Sequence, residues 1–482
     1  MIKIRLVLIT LIMSYLLGCA SNPVTGEQDF VLMTEDQEIE LGETFSKEVL
    51  KQYRAYDDPK LQAYVSKLVE ELAANSHRNH LIFHVTVLDS PEVNAFALPG
   101  GYIYITRGIM AYMNTEAELA GVLGHEIGHV TARHSVRQHS ASTVAGILSA
   151  AVAIASGTSE AGDATNIAST ALVRGYGRGH ELEADRLGAE YLAKTGYDPE
   201  EMIEVVGILK NQEEFDKKLA EAEGREPRGY HGLFSTHPSN DKRLQEVISA
   251  AKIYKSDYTR KEDGTFLKLT NGMVFGSSER EGVLRNNQFY HKNLGITLTF
   301  PKQWKIDNLT SQLIATTQAR DAIMEVTLED LNKKQTPEEF IKTEFAKDLK
   351  AGEKITTPTY EGYTGIGVVD TPFGKQDTRI GVVFKDKQVY KFLATAKTPE
   401  LMDKYDSEFI STISSLRALK PEEEKLAEAN RIKLIKAKKG DTFEKYAESS
   451  PLTSYAADQL RLINDLFPDG QPTPGEYIKI IQ

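Results

Sequence analysis

Cysteine is nearly absent from this sequence: 482 residues contain one, Cys19. No disulfide can form within a single chain, so the fold must rest on buried apolar cores. Basic charge is in deficit as well, with 57 Lys and Arg against 69 Asp and Glu and a formal net charge of −12. Neutralising phosphates needs a concentrated basic surface, which is not found, and this argues against nucleic acid as a partner. Long hydrophobic runs are also missing. Residues 6–17 are mostly apolar, but about twelve residues at about 1.5 Å each do not cross a hydrocarbon layer of roughly 30 Å. Residues 142–156 carry no charge, yet the stretch is short and rich in small residues, so it reads as a buried helix or hairpin. No repeat of about 34 residues follows residue 255, which excludes a half built of helical repeats. What remains is ordinary globular composition, 41% hydrophobic and 26% charged, in a chain too long for one core.

The N-terminus has the pattern of an export signal. Lys3 and Arg5 precede the apolar run, and Leu16-Leu17-Gly18-Cys19 closes it. That tetrapeptide resembles the lipobox of bacterial lipoproteins, which implies cleavage before Cys19, a lipid on its thiol and attachment to a membrane. Acyl chains contribute about 0.8 kcal/mol per buried methylene, enough for stable anchoring by two or three of them. Ala20 rather than aspartate after the cysteine implies the periplasmic side of the outer membrane. The polar, turn-rich residues 20–34 suit a tether.

Apolar residues at three- and four-residue spacing predict helices over residues 35–53 and 59–74, and β-branched or apolar runs predict strands over 81–88 and 95–106. Thr115 and Glu118 form a capping-box pattern ahead of the next helix. Alternate glycines make 174–179 a loop, helices follow over 181–194, 199–212 and 240–252, and 213–228 reads as a charged stretch. These elements make a first domain of residues 35–255. Residues 262–420 read as an α+β domain, with strand-like patterns at 265–274, 296–300, 323–328, 365–369 and 380–395 and helices at 337–350 and 399–416. A charged linker or helix at 420–430 leads to a small unit over 431–482, ordered strand, helix, helix, strand.

Chemistry is concentrated in His125-Glu126-Ile127-Gly128-His129. Four residues are about one helical turn, so both imidazoles face one way and can hold one Zn²⁺, while Glu126 stands beside them as a general base. A hydrolytic zinc needs a third protein ligand. The metzincin pattern does not supply it, since Ala132 and Ser135 stand where glycine and histidine would be. Glu181 and Asp185 share a face of a later helix, so Glu181 is a candidate ligand and Asp185 a candidate partner for a ligand histidine. No serine lies in a Gly-x-Ser-x-Gly elbow. His77, His80, His84, His134, His139 and His291 read as ordinary polar positions.

Several motifs together resemble the zinc metallopeptidase family of the CAAX prenyl proteases, HtpX and BepA: Asn22-Pro23-Val24-Thr25-Gly26, Asn94-Ala95-Phe96-Ala97 with Pro99-Gly100-Gly101, the His125–His129 motif, Glu181 with Ala184-Asp185, and Thr236-His237-Pro238 with Arg243. The resemblance covers residues 22–255. It implies a mainly helical, zincin-type (gluzincin-like) domain with a small sheet and one zinc per chain on His125, His129 and Glu181. It also implies Glu126 as base and an edge strand, Asn94, Ala95, Phe96 and Ala97, that pairs with extended substrate. His237 would come from a loop to cover the metal, with helix capping as the other reading and His231 and His180 as rival candidates. Arg243 would steady an oxyanion or form a surface ion pair. Unfolded or misassembled envelope proteins are the implied substrates.

Residues 293–306, around Trp304, resemble the opening of PsbP-like domains. Residues 432–482, with Lys439-Gly440-Asp441-Thr442-Phe443, Asn464 and Pro474-Gly475-Glu476-Tyr477-Ile478-Lys479-Ile480, resemble a LysM domain. Peptidoglycan would then be a partner, although residues 449–456 depart from the usual spacing. The fold class expected is α+β throughout. A non-catalytic zinc-binding lipoprotein scaffold or chaperone is the alternative to a protease.

Overall fold

Strands β1 (Cys19–Ser21) and β2 (Gln28–Phe30) pair antiparallel across the turn at Asn22–Gly26. Helix α1 (Glu35–Gln52) then begins with a reciprocal cap, in which Thr34 accepts from the Gln37 N–H and the Gln37 side chain accepts from the Thr34 N–H. Helix α2 (Pro59–Ala74) begins on Asp58, with proline in its first turn. These and all following contacts come from a computed structural model that describes residues 19–143, 177–223, 247–249, 251–254, 260–309, 311–345, 349–452 and 454–482.

A three-stranded sheet follows, with β3 (His84–Leu88) parallel to β5 (Tyr102–Thr106) and β4 (Ala95–Leu98) antiparallel to β5 on its other side. Between β4 and β5, Pro99-Gly100-Gly101 turns under α1. A Cβ on Gly42 of α1 would lie 1.9 Å from the Pro99 carbonyl oxygen, and Gly100 and Gly101 both have positive φ, so only glycine fits. Helix α3 (Arg107–Met110) leads to α4 (Glu116–Thr131). Half of the expected capping box forms: Thr115 accepts from the Glu118 N–H, but the Glu118 carboxylate accepts from the Asn114 N–H at 2.5 Å. Just past the end of α4, Arg133 takes the left-handed conformation usually given to glycine, φ 55°. Its guanidinium reaches Glu38 at 2.8 Å, and Glu38 also binds the buried Arg78, which donates to the Val130 carbonyl at 3.0 Å.

Helices α5 (Arg178–Lys194) and α6 (Glu201–Glu223) pack on α4. Helix α6 runs through part of the stretch expected to be a charged connection, and Lys217 pairs with Glu213 and Glu214 one turn back. Gly177 caps α5 and Arg178 begins it, so the expected loop stops two residues early. The uncharged stretch 142–156, apart from its first two residues, the signal segment before Cys19, and the Thr236–Pro238 motif lie outside the described residues. Among the described residues no helix is long and apolar enough to cross a membrane. The 265–274 stretch is not a strand: after Gly264, at φ 69°, the chain forms the short helix α7 (Thr265–Leu269), before β6 (Val274–Phe275), and Asp263 accepts from the Thr265 N–H.

The chain forms two units by contact, Met1–Phe275 with Arg431–Gln482, and Gly276–Asn430. The second unit therefore begins later than residue 262, and the C-terminal residues belong with the first. Unit two holds β7 (Val283–Arg285), β8 (Gln288–His291), β9 (Ile296–Thr299), β10 (Lys305–Asn308), β11 (Gln312–Thr316), β12 (Ala322–Asp330), α8 (Pro337–Glu344), β13 (Lys350–Thr356), β14 (Glu361–Thr371), β15 (Gly374–Lys385), β16 (Gln388–Ala396), α9 (Pro399–Ser414) and β17 (Arg417–Ala418). Its large antiparallel sheet has the order β10-β11-β12-β16-β15-β14-β13, and a second has the order β17-β9-β8-β7. Trp304 packs edge-on against Tyr405 and Phe409 and donates to Glu408 at 2.8 Å. The apolar run 380–395 is two strands, broken by a turn at Asp386, and α8 is shorter than its pattern suggested, giving way to β13.

The chain then returns to unit one as β18 (Asn430–Lys436), α10 (Phe443–Glu448), α11 (Ala456–Ile463) and β19 (Tyr477–Ile481). The expected strand-helix-helix-strand order is present. Strands β19, β18 and β6 form one sheet, and the core of these elements is continuous with that of α2 and α4. Lys479, with no exposed surface, donates its Nζ protons to the carbonyls of Ala111 and Met113 just ahead of α4.

Candidate metal centre

Helices α4 and α5 approach backbone to backbone because small residues meet between them. A Cβ on Gly128 would lie 3.0 Å from the Ala184 oxygen and 3.2 Å from its Cα, and one on Gly188 would lie 3.1 Å from the His125 nitrogen. This closeness brings the α5 carboxylates to the α4 imidazoles. The Nε2 atoms of His125 and His129 are 2.9 Å apart. Glu181 places one oxygen 3.6 Å from the first and the other 3.4 Å from the second. All three side chains are buried, as is Glu126, which follows His125 on α4.

The far sides of the rings decide where their protons sit. Asp185 Oδ1 lies 2.8 Å from His125 Nδ1, an ion-pair distance at which the carboxylate favours a proton on that nitrogen. Behind His129, the Nδ1 atoms of His129 and His134 are 2.8 Å apart, and His134 Nε2 is 3.1 Å from Glu183 Oε2. A carboxylate only accepts, so His134 carries its proton on Nε2 and its Nδ1 accepts from the Nδ1–H of His129. Burial pushes His134 below its ordinary value, which keeps it neutral. Burial would raise the Glu183 carboxyl, but hydrogen bonds from His134 and Arg137 outweigh it and hold it at about 2.

With their protons on Nδ1, both imidazoles at the centre can present an unprotonated Nε2 to a cation. With Glu181 they make three acceptors whose ligand atoms lie within 4.8 Å of one another. Acceptors gathered this closely in a buried place repel unless a cation lies among them. The residues therefore fit a metal ion, and two imidazoles with one carboxylate are a donor set suited to a divalent transition metal with one position left open.

Residues 59–251 match Peptidase family M48. Metalloprotease YcaL of Escherichia coli (strain K12) is 30% identical over 189 residues, covering 38% of this chain and 67% of that one. The chain belongs to peptidase family M48. The beta-barrel assembly-enhancing protease of Yersinia pestis is 28% identical over 268 residues, 53% of each chain, so this M48 chain spans about half the length of that relative. The solution structure of cyanobacterial PsbP from Synechocystis sp. PCC 6803 is 17% identical, with 28% of this chain and 95% of that one covered at a TM-score of 0.23, a score too low to establish a shared fold.

Around the M48 centre the structure brings His125, Glu126, His129, Glu181 and Asp185 onto the facing helices α4 and α5. Strand β4 is an outer strand of its sheet, with Ala95 and Ala97 buried and Phe96 stacked on Tyr104 at 5.0 Å. Asn94 precedes it and is tied to Thr106 through its backbone. His237 and Arg243 lie outside the described residues. His134 is not an ordinary polar position, since it is fully buried against a candidate ligand, and His180 stacks on it at 4.3 Å. Sequence reasoning passed over His134, Glu183 and the glycines of α4 and α5. Only the glycine spacing, Gly124 and Gly128 against Gly188, carried a signal, that of a close helix pair.

Proposed function

We propose that this chain is a zinc-dependent endopeptidase of the bacterial cell envelope that cleaves unfolded or misassembled proteins. The observation that carries the reading is the convergence of three buried acceptors, His125 Nε2 and His129 Nε2 on α4 and Glu181 on α5, beside the Glu126 that α4 also bears. His125, His129 and Glu181 would hold a zinc ion, which would supply Lewis acidity toward a bound water and a peptide carbonyl. Glu126 takes the proton from the attacking water and delivers it to the leaving nitrogen. Asp185 and His134 keep the two imidazoles in the tautomer that presents Nε2. Strand β4 holds the peptide extended by backbone pairing, which asks little of its side chains and suits unfolded segments.

The envelope setting rests on the lipobox-like residues 16–19 and on relatives such as the Yersinia pestis protein, whose name describes barrel assembly. Lipid on Cys19 would hold the chain at the periplasmic face of the outer membrane. His237 covering the metal would make the enzyme latent, and His237→Ala should then raise cleavage. Arg243 would steady the oxyanion. Strands β18 and β19 serve the core of unit one, and no feature among the described residues of 431–482 supports the glycan binding that the LysM resemblance implies. Degradation of unfolded casein, with and without zinc, tests the function beside a Glu126→Gln variant of equal zinc content. Zinc-dependent cleavage lost in the variant supports it. A parent as inert as the variant, even with His237 replaced, points to the scaffold instead.

A further inference from the structure

The turn Asn22–Gly26 has no part in the chemistry above, yet its atoms lead to the metal centre. Asn22 Oδ1 accepts from the N–H groups of Val24 and Thr25 at 2.8 and 3.2 Å, and Gly26, at φ 72°, donates to the Asn22 carbonyl at 2.9 Å. This fixes the Asn22 amide, whose Nδ2 donates to Asp29 Oδ2 at 2.7 Å. The same Asp29 oxygen lies 3.5 Å from Arg137 Nε. Arg137 turns its other edge to Glu183, with Nη1 donating to Oε2 at 3.0 Å. That oxygen is also the one His134 reaches, and His134 in turn meets His129.

Charges alternate along this path, and each group is held from both sides. Asp29 sits between an amide and a guanidinium, Arg137 between two carboxylates, and Glu183 between a guanidinium and an imidazole. An isolated, partly exposed Asp29–Arg137 pair would contribute little. Here it decides where the Arg137 fork points, and with it where Glu183 presents its oxygen. If Glu183 swings away, His134 is free to move its proton to Nδ1. The proton of His129 is then forced onto Nε2, the atom that must be bare to bind metal.

We propose that Asp29 is a positioning residue for the metal ligand His129, acting through Arg137, Glu183 and His134. The hairpin that follows Cys19 is on this account part of the support of the metal centre. The inference rests on the metal reading above, and its test separates the two. The zinc dissociation constant of the full purified chain is measured by competition with a chromogenic chelator, and the visible spectrum of the Co²⁺ form reports ligand geometry.

Loss of an outer partner of a metal ligand typically costs about 10–100-fold in affinity, so His134→Leu should fall in that range. His134→Asn, whose Oδ1 still accepts from the His129 Nδ1–H, should recover to within about threefold and keep the parent Co²⁺ spectrum. Asp29→Asn should bind zinc about 3- to 10-fold more weakly, and should add nothing in the His134→Leu background. Zinc affinity unchanged in Asp29→Asn, or weakened by the same factor in both backgrounds, overturns the relay. Arg137→Met reads the same link if Asp29→Asn fails to fold. A parent that binds no zinc removes the metal reading and the relay together, whereas a zinc-binding parent with an indifferent Asp29→Asn removes the relay alone.

Discussion

Replacing Gly128 by alanine separates stability from metal geometry. On an isolated helix the change is favourable, because glycine is about 0.8–1.0 kcal/mol worse than alanine in a helix interior. Here the new methyl would lie 3.0 Å from the Ala184 oxygen, 3.2 Å from its Cα and 3.2 Å from Leu187 Cβ. None of these is the free end of a flexible side chain. Relief requires α5 to recede by about 0.4 Å, the shortfall from ordinary van der Waals contact. Overpacking of this kind costs about 1–3 kcal/mol, so the net loss of stability should be about 0–2 kcal/mol and the protein should stay folded. The metal centre is less tolerant. Ligand distances must hold to within about 0.2 Å, and Glu181 moves with α5 while His125 and His129 stay with α4. Gly128→Ala should therefore weaken zinc binding by about tenfold or more, since loss of an outer partner alone already costs about 10–100-fold, while the apo protein melts within a few degrees of the parent. Gly207→Ala is the control: it sits on α6 with no atom within 4 Å of the added methyl, and it should gain up to about 1 kcal/mol with zinc binding unchanged. Chelator competition and thermal unfolding measure both. Parent-like zinc affinity in Gly128→Ala would refute the claim that helix spacing sets the ligand geometry.

Three further outcomes are expected. Lys479→Met strands the carbonyls of Ala111 and Met113, and chemical denaturation should show a loss of about 2–5 kcal/mol. Glu38→Gln removes the charge between Arg78 and Arg133 and should cost about 3–5 kcal/mol, with hydrogen exchange rising first at the end of α4. In the second unit, Glu423 accepts two hydrogen bonds from Arg417, both at 2.7 Å, and these bonds hold its carboxyl at about 2, below an ordinary value of 4.5. A carboxyl held low contributes stability above its unfolded value and loses it as pH falls, so the melting advantage of the parent over Glu423→Gln should fade between pH 4.5 and about 2.

Local patterns carried much of the fold. Thr115 opens the helix that its capping pattern announces, and Thr34 and Asp58 cap the two helices read from apolar spacing, because capping is settled within four residues. The candidate site was legible for a similar reason: one helical turn sets His125 beside His129, and another sets Glu181 beside Asp185. His134 escaped because it follows a left-handed Arg133, and no helical period predicts where a chain points after such a turn. Glu183 was hidden by its neighbours, since it leaves the face that Glu181 and Asp185 share. Helix α7 was misread because apolar residues at 265–274 say nothing of the left-handed Gly264 that precedes them and turns the chain into a helix. The return of residues 431–482 to the first unit depends on the pairing of β6 with β18 and on the burial of Lys479, both of which join residues far apart in sequence.

That return has a consequence for the order of events during synthesis. The carbonyls ahead of α4 wait for a lysine that a ribosome delivers only after the whole of Gly276–Asn430 has been made. Closure of so long a loop is slow compared with helix formation, and until it happens the helix bearing His125, Glu126 and His129 lacks its lower support. The packing around the helix that bears the candidate metal ligands is thus completed only once the C-terminal residues have been made.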